Sequence, residues 1–278
     1  MNLHALLLIL VTLVWGTTFP LLKSATEHLS GLEVSVLRFI VAAIAMSPFA
    51  LRLSRAAWRD GAVLGVLGLT SYVSQAYGLQ FISSNRSAFL TSLNVLFVPF
   101  MAWALGGRLT VKVVVAALVA CFGIGLMSWD GGSNWLGDGA TLLSALAFAS
   151  YVLFLSRVSN RYPAITLAST QIIMMALIGM VALPVEGMAQ VASLPQRLAF
   201  VWPVVLYLGL VATAGMLFLQ AIGQRKVSAA KSALIFALEP VFAALFSWLW
   251  LGEQLTQRTA IGGALLVAAV VLSEWQSD

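Results

Sequence analysis

The sequence has very few charged residues, and this shortage excludes most classes of protein. Charged side chains make up 9% of the 278 residues, whereas 61% of the residues are hydrophobic. A typical soluble domain is about 25% charged, so a chain of this composition cannot cover a water-facing surface with charge. The shortage therefore excludes a soluble enzyme, a nucleic-acid-binding module and a disordered chain. The composition indicates an integral membrane protein.

Cysteine and histidine are also scarce. Cys121 is the single cysteine, so it cannot form an intramolecular disulfide, and its apolar surroundings in the sequence predict a small packing residue. His4 and His28 are isolated, which argues against a metal site or a Ser-His catalytic cluster. A Gly-rich phosphate loop of the Walker type does not occur either. We therefore expect no enzyme activity, no catalytic residues, no bound metal and no cofactor.

Long apolar runs fill the chain instead. A bilayer core about 30 Å thick requires about 20 apolar residues in a helix, and ten such runs occur. Transmembrane β-strands are only about 10 residues long and alternate in polarity, so all of these runs are predicted to be helices. We expect an all-α integral membrane fold with ten transmembrane helices. The runs cover residues 3–22, 32–50, 61–81, 87–105, 111–129, 137–156, 164–183, 201–222, 232–250 and 259–272.

The positive charges are distributed unevenly between the two sides of the predicted membrane. The net charge is +5, and the lysines and arginines are scattered singly in the connections between the apolar runs. If the N-terminus is cytoplasmic, the inner connections contain ten of these residues and the outer ones four. Positive charge is retained on the cytoplasmic side of membrane proteins. We therefore predict a multi-pass protein of the bacterial cytoplasmic (inner) membrane with both termini in the cytoplasm.

The two halves of the sequence match each other at fixed shifts. A shift of 145 residues aligns Gly78 with Gly223, and a shift of 133 residues aligns Trp15 with Phe148. Chance alignment of two apolar helices is common, but joint alignment of glycine, serine, tryptophan and basic residues is not. Further aligned pairs are Arg38 with Gln171, Ser87 with Ser232, Arg86 with Lys231 and Trp103 with Trp248.

This repeat predicts an inverted architecture. Each half contains five predicted spans, and because five is odd the second half starts on the opposite side of the membrane. We expect a first repeat at residues 3–129, a connecting loop at 130–136 and a second repeat at 137–275. Inverted repeats of this kind are typical of secondary transporters, in which the substrate site lies near the midplane between the repeats. A duplication with no transport function is the alternative.

Three segments resemble the EamA domain of the drug/metabolite transporter superfamily. They are LVWG at 13–16, RF at 38–39 and LEPVFAALFSWLWLGEQLT at 238–256. The resemblance covers nearly the whole chain as two tandem domains and implies ten helices around a central cavity. It also implies transport of small metabolites, often amino-acid export, and bacterial aromatic amino-acid exporters are the nearest comparison. The first half departs from the pattern, because Asn94-Val95 stand where the second half has Glu239-Pro240.

Polar residues inside the predicted spans are the first group of candidate site residues. In the fourth span, Ser87, Thr91 and Asn94 share one helix face, and the repeat mate of this span carries Ser232 and Glu239. Polar side chains in hydrocarbon usually face a cavity or the interior of the helix bundle. These residues therefore either line a water-filled substrate cavity or allow close helix packing.

Two charged residues and a proline are candidates for gating or coupling. Glu239 lies inside the ninth span, and Pro240 removes a backbone donor and is expected to kink the helix. A kink beside a carboxyl group suits a gate or a proton site, whereas the alternative is a glutamate that only orients helices. Arg38 lies inside the second span, where it either binds a carboxylate or extends along its stem to the interface.

Aromatic residues paired with polar ones form the second candidate group. In the first, third and sixth spans, two residues of the group are three positions apart and so share a helix face, and Gln220 lies in the repeat mate of the third span. They offer an apolar wall with polar tips, which suits a zwitterion with a hydrophobic side chain; the alternative is ordinary helix packing. The group consists of Trp15, Thr18, Tyr72, Gln75, Phe148, Tyr151 and Gln220.

The sequence as a whole favours a secondary transporter. We expect export of amino acids, including aromatic or other hydrophobic ones, or of similar small metabolites, by alternating access. The alternatives are a drug or nucleotide-sugar carrier of the same superfamily and a membrane sensor or receptor. A nucleotide requires several basic residues in the cavity, but only Arg38 is available, and a retinal protein requires a lysine within a span. The expected partners are a small-molecule substrate and the lipid bilayer, with no nucleic acid, and a monomer is expected to suffice.

Overall fold

The protein is an all-helical, multi-pass membrane protein. The computed structural model describes residues 3–50, 53–107, 109–128, 134–251 and 256–274, and these ranges contain helices and turns but no strand. Seven helical segments within them are long and apolar enough to cross a membrane. They are Leu3–Ala25, Gly31–Ala50, Arg86–Ala104, Trp135–Val158, Ala164–Val185, Gln190–Gly223 and Ala229–Phe246.

Each apolar run identified in the sequence lies on one helix or on consecutive helices. Besides the seven long segments, Val111–Leu126 and Gln257–Val271 are shorter apolar helices. The helices are α1 Leu3–Gly16, α2 Thr18–Ala25, α3 Gly31–Met46, α4 Arg55–Gly78, α5 Ser84–Ser92, α6 Asn94–Ala104, α7 Val111–Ser128, α8 Trp135–Val158, α9 Ala164–Ala182, α10 Met188–Gly209, α11 Met216–Gly223, α12 Ala229–Phe236, α13 Glu239–Leu251 and α14 Gln257–Glu274. Short 3₁₀ turns cover Ser47–Ala50 and Leu183–Glu186, and a π-helix covers Leu210–Gly215.

The helix that contains the apolar run at residues 201–222 begins earlier than the sequence predicted. Helix α10 begins at Met188, whereas the apolar run was expected to begin at residue 201 and Arg197 was assigned to a loop. Arg197 is helical, and its Nη1 donates to Glu33 Oε2 at 2.6 Å and to the His28 carbonyl at 3.2 Å. Glu33 neutralises the charge of Arg197, the residue that interrupts the apolar sequence. The first part of α10 can therefore pack against the start of α3.

Three of the membrane segments are broken near their middle. Leu3–Ala25 is interrupted at Thr17, Arg86–Ala104 at Leu93 and Ala229–Phe246 at residues 237–238. Pro20 and Pro240 explain two of the breaks, since a proline has no N–H for the carbonyl four residues earlier and its ring clashes with it. Discontinuous helices are a common way in which secondary transporters build their substrate sites.

Glycines at two helix ends show how the segments pair. A Cβ on Gly78, at the end of α4, would lie 2.9 Å from the Gly137 carbonyl oxygen near the start of α8. A Cβ on Gly223, at the end of α11, would lie 3.1 Å from the His4 carbonyl oxygen near the start of α1. The end of α4 therefore adjoins the start of α8, and the end of α11 adjoins the start of α1.

Basic side chains link the other helix ends. Lys23 near the end of α2 donates to the carbonyls of Leu79 and Ile82, just after α4. Arg225, just after α11, donates to the Ser159 carbonyl at 3.0 Å, just after α8. Together with the glycine contacts, these bonds place the end of the first segment beside the start of α8. Helices α1 and α8 therefore run antiparallel.

The surface of the helix assembly is apolar. Large hydrophobic side chains such as Ile44, Phe122 and Val181 are exposed on the outside of the helices. Exposed apolar patches of this extent are rare on soluble monomers, and in a bilayer they contact acyl chains. Buried polar side chains, including Ser87, Thr141 and Gln220, lie inside.

Candidate functional site

A small cavity lined by aromatic and polar side chains lies where helices from both halves of the chain meet. Its volume is about 30 Å³, which is room for roughly two water molecules. Pockets for small organic ligands have volumes of about 300–1,000 Å³, so an organic ligand enters only if the surrounding helices move apart. The lining residues are Trp15, Thr18, Ser71, Tyr72, Gln75, Thr91, Phe148 and Glu239.

All but one of the lining residues are candidates from the sequence. The exception is Ser71, whose hydroxyl oxygen lies 3.1 Å from that of Ser144 on α8. A sequence signal was present, because Ser71 and Gln75 are four residues apart and share a helix face. Across the cavity, Gln75 Nε2 donates to Thr91 Oγ1 at 3.3 Å and joins α4 to α5.

One wall of the cavity is a rigid aromatic cluster. The Trp15 ring lies edge-to-face with Phe148, with 5.7 Å between ring centroids, and 5.6 Å from the Phe236 ring. Phe148 in turn stacks against Tyr151 at 6.0 Å. Such aromatic contacts fix the orientation of the rings. The wall therefore presents a preformed apolar surface contributed by α1 and α8.

The π-helix at Leu210–Gly215 holds two of the candidate residues in place. Its wide turn leaves the Ala212 carbonyl available to accept from Trp15 Nε1 at 2.9 Å. Thr213 Oγ1 donates to the Leu208 carbonyl and accepts from Arg38 Nε at 2.9 Å. Single π-turns in helices occur frequently at functional sites. This one fixes both the aromatic wall and a buried cation.

Arg38 adopts neither of the two arrangements considered from the sequence. It is 2% exposed, so it does not extend to the interface, and no carboxylate among the described residues lies within 4 Å of it. Its guanidinium carbon instead lies 4.6 Å from the centroid of the Tyr72 ring, in a cation–π contact. Its Nη2 atom is buried without a hydrogen-bond partner.

Glu239 contributes the carboxylate of the cavity. It is the first residue of α13 and is 9% exposed, and its side chain makes no hydrogen bond or ion pair with another described residue. The helix is interrupted directly before it, and Pro240 follows within the first turn of α13. Its part in gating or coupling remains a prediction.

The other sequence candidates lie outside the cavity lining. Several of them have buried polar atoms without a partner: Ser87 Oγ, Asn94 Oδ1, Gln220 Oε1 and Ser232 Oγ. Tyr151 is also buried, and its hydroxyl donates to Gln171 Oε1 at 2.7 Å. Buried unpaired polar atoms are rare in proteins, and their roles here remain predictions.

Comparison with known families identifies the class of protein. The sequence profile of the EamA-like transporter family matches residues 2–129 and again residues 135–275. The chain belongs to the EamA-like transporter family. This EamA-like protein is therefore a multi-pass membrane protein of a family of transporters.

Related proteins agree with this assignment. A transporter of Archaeoglobus fulgidus is 28% identical over 95% of this chain and 83% of its own length. YdfC of Bacillus subtilis, also a transporter, is 25% identical over 92% of this chain and 86% of its own. A probable terminal-alkyne amino-acid exporter of Streptantibioticus cattleyicolor is 25% identical over 95% and 91%. A solved crystal structure shares the fold, with a TM-score of 0.76 at 18% identity over 98% of this chain and 97% of its own.

Proposed function

We propose that this EamA-like protein is a secondary transporter that exports amino acids, including aromatic and other hydrophobic ones, or similar small metabolites. The observation that carries the proposal is the cavity, which combines an aromatic wall at Trp15 and Phe148 with the carboxylate of Glu239. An amino acid has an ammonium group for a carboxylate and a side chain for an apolar wall. The similarity to the probable terminal-alkyne amino-acid exporter of Streptantibioticus cattleyicolor supports the same substrate class.

The proposed architecture is ten spans in two inverted repeats, at residues 3–129 and 137–275 with the linker 130–136. Two contacts support it: Gly78 adjoins Gly137, and Gly223 adjoins His4. The two contacts are equivalent under the sequence repeat. Gly78 and Gly223 are related by the shift of 145 residues, and His4 and Gly137 by the shift of 133 residues. The antiparallel course of α1 and α8 supports the inversion. We place both termini in the cytoplasm and the chain, as a monomer, in the cytoplasmic membrane.

Alternating access follows from this architecture. The cavity of about 30 Å³ is too small for an amino acid, so the helices around it open first to one side and then to the other. The break before Glu239 and Pro240 is the proposed hinge. The buried polar residues outside the lining, Ser87, Asn94, Tyr151, Gln220 and Ser232, are proposed to line the path once it opens.

A nucleotide-sugar carrier is a poorer fit to the cavity. Phosphate groups are usually bound by arginine or lysine side chains. The residues that line the cavity include neither, and Arg38, which lies behind Tyr72, supplies a single positive charge where the phosphates of a nucleotide require several. A drug carrier of the superfamily differs from the proposal only in substrate and is distinguished by the same flux assay.

The test is flux into proteoliposomes across a panel of labelled amino acids. We expect wild-type protein to accelerate the entry of phenylalanine or another hydrophobic amino acid relative to empty liposomes. Glu239→Gln is expected to lower the initial rate at least about ten-fold, because an ammonium group loses its charged partner. Glu27→Gln is the matched control, since Glu27 is exposed in the turn after α2, and it should leave the rate unchanged. Absence of flux for the whole panel would contradict the proposal.

A further inference from the structure

Four charged residues are buried in the described part of the chain: Glu33, Arg38, Asp60 and Glu239. Two of them are at helix starts and have partners of opposite charge. Arg197 binds Glu33, and Arg161 Nη1 lies 3.5 Å from Asp60 Oδ2. Arg38 and Glu239 lack such a partner within 4 Å among the described residues. Arg38 carries a basic group and Glu239 an acidic one.

The two side chains without an ionic partner are close to the same cavity. Tyr72 and Glu239 both line it, and the Arg38 guanidinium carbon lies 4.6 Å from the centroid of the Tyr72 ring. Arg38 Nε is held by Thr213, whereas Nη2 has no acceptor. An uncompensated charge is unfavourable in a low-dielectric interior. Intramembrane charges that are retained in spite of this cost usually mark a site of function.

We infer that Arg38 and Glu239 together make the site selective for zwitterions, with Arg38 as the residue that requires a carboxylate on the substrate. This inference rests on the proposed function and names its substrate class more closely. The substrate ammonium binds Glu239, and the substrate carboxylate faces the positive charge beside Tyr72. A zwitterion then supplies each of the two side chains with a partner of opposite charge. A cationic amine satisfies only Glu239, and an N-acylated acid satisfies only Arg38.

The repeat itself supplies the informative substitution. Gln171 occupies the position equivalent to Arg38 in the second half, and it is fully buried. Its Oε1 accepts from Tyr151 at 2.7 Å, so this fold accommodates a buried glutamine beside an aromatic residue at that position. Arg38→Gln therefore removes the positive charge and retains a polar side chain. Arg38→Lys retains the charge and alters only its shape.

The experiment measures binding by purified protein in detergent at neutral pH. The probes are phenylalanine, 2-phenylethylamine, which lacks the carboxylate, and N-acetylphenylalanine, which lacks the ammonium. We expect wild-type protein to bind phenylalanine at least about ten-fold more tightly than either analogue, because each analogue leaves one buried charge unpaired. Arg38→Gln should lose the preference over the amine, and Glu239→Gln the preference over the N-acetyl acid. Arg38→Lys and the exposed-residue control Arg258→Gln should retain both preferences.

Equal wild-type affinity for phenylalanine and either analogue, or no binding of phenylalanine, would overturn the inference. An unchanged amine preference in Arg38→Gln would overturn it as well. If Arg38→Gln does not fold, the wild-type affinity ratios alone decide. Flux of amino acids without these affinity ratios would leave the proposed transport intact and reject only the selectivity. Binding with these ratios but no flux would reject the transport proposal alone.

Discussion

At the scale of single residues, buried charges with partners behave differently from those without. The Glu33 side chain is fully buried and accepts from Arg197 and from the Ser30 backbone N–H at 2.7 Å. This carboxylate caps α3 and connects it to α10. Because the carboxylate is out of contact with water, these few bonds replace its hydration, and the charge is stable in this position only while Arg197 is present.

Removal of Arg197 is therefore predicted to destabilise the protein. Arg197→Ala leaves the Glu33 carboxylate buried beside an empty space, and breaking such a pair costs about 3 kcal/mol or more. The measurement is the thermal unfolding midpoint in detergent. Arg59→Ala is the control, because the Arg59 side chain is 76% exposed and lies 3.5 Å from Asp60, and exposed pairs contribute about 0–1 kcal/mol. Equal losses in the two variants would refute the prediction.

Residue types in the spans predicted most of the residues that line the cavity, but not the contacts that hold them in place. Trp15, Tyr72 and Glu239 stand out in a sequence because polar and amphipathic groups are costly in hydrocarbon. The environment of Arg38 could not be predicted in the same way. Its Nε partner is Thr213, 175 residues along the chain, and a contact at that distance depends on tertiary packing. Ser71 was missed because a small hydroxyl in a helix is usually satisfied locally.

At the scale of helices, close contacts depend on glycine. Gly78→Ala and Gly223→Ala are each predicted to destabilise the protein, because the added Cβ would lie within about 3 Å of a backbone oxygen on the neighbouring helix. Overpacking of this kind costs about 1–3 kcal/mol. Gly139→Ala is the matched control in α8, since a Cβ there meets nothing within 4 Å, and helix propensity alone favours it by about 1 kcal/mol. Thermal unfolding of the three variants tests this, and a stabilised Gly78→Ala would contradict it.

Hydropathy predicted the positions of the membrane helices more reliably than their internal shape. Apolar length locates a span because the bilayer imposes it. The break at Thr17 follows from Pro20, but the break at Leu93 and the π-turn at Leu210–Gly215 do not follow from composition. These conformations depend on partners from other helices, such as Trp15 at the Ala212 carbonyl. The start of α10 was misplaced for the same reason, since Glu33 provides the partner of Arg197.

At the scale of the whole molecule, the proposed inversion predicts opposite labelling of equivalent turns. Glu27 and Asn160 are exposed, differ by 133 positions and follow the first segment of each half. We expect Glu27→Cys, in a Cys121→Ala background, to react with a membrane-impermeant maleimide in intact cells. Asn160→Cys should react only after the cells are permeabilised. Labelling of both sites in intact cells would show that the two halves have the same orientation. Labelling of Asn160→Cys alone in intact cells would show inverted halves with both termini outside the cell.

In the proposed alternating-access cycle, the π-turn limits how similar the two end states can be. In a perfectly symmetric pair of repeats, exchanging their shapes would produce two states of equal free energy. Helix α4 runs from Arg55 to Gly78 without interruption, whereas its counterpart contains the wide turn at Leu210–Gly215. The bonds of that turn to Trp15 and Arg38 consequently have no mirror image in the first half. If the proposed alternating access holds, we expect the unloaded protein to rest preferentially open to one side, before any substrate gradient acts on it.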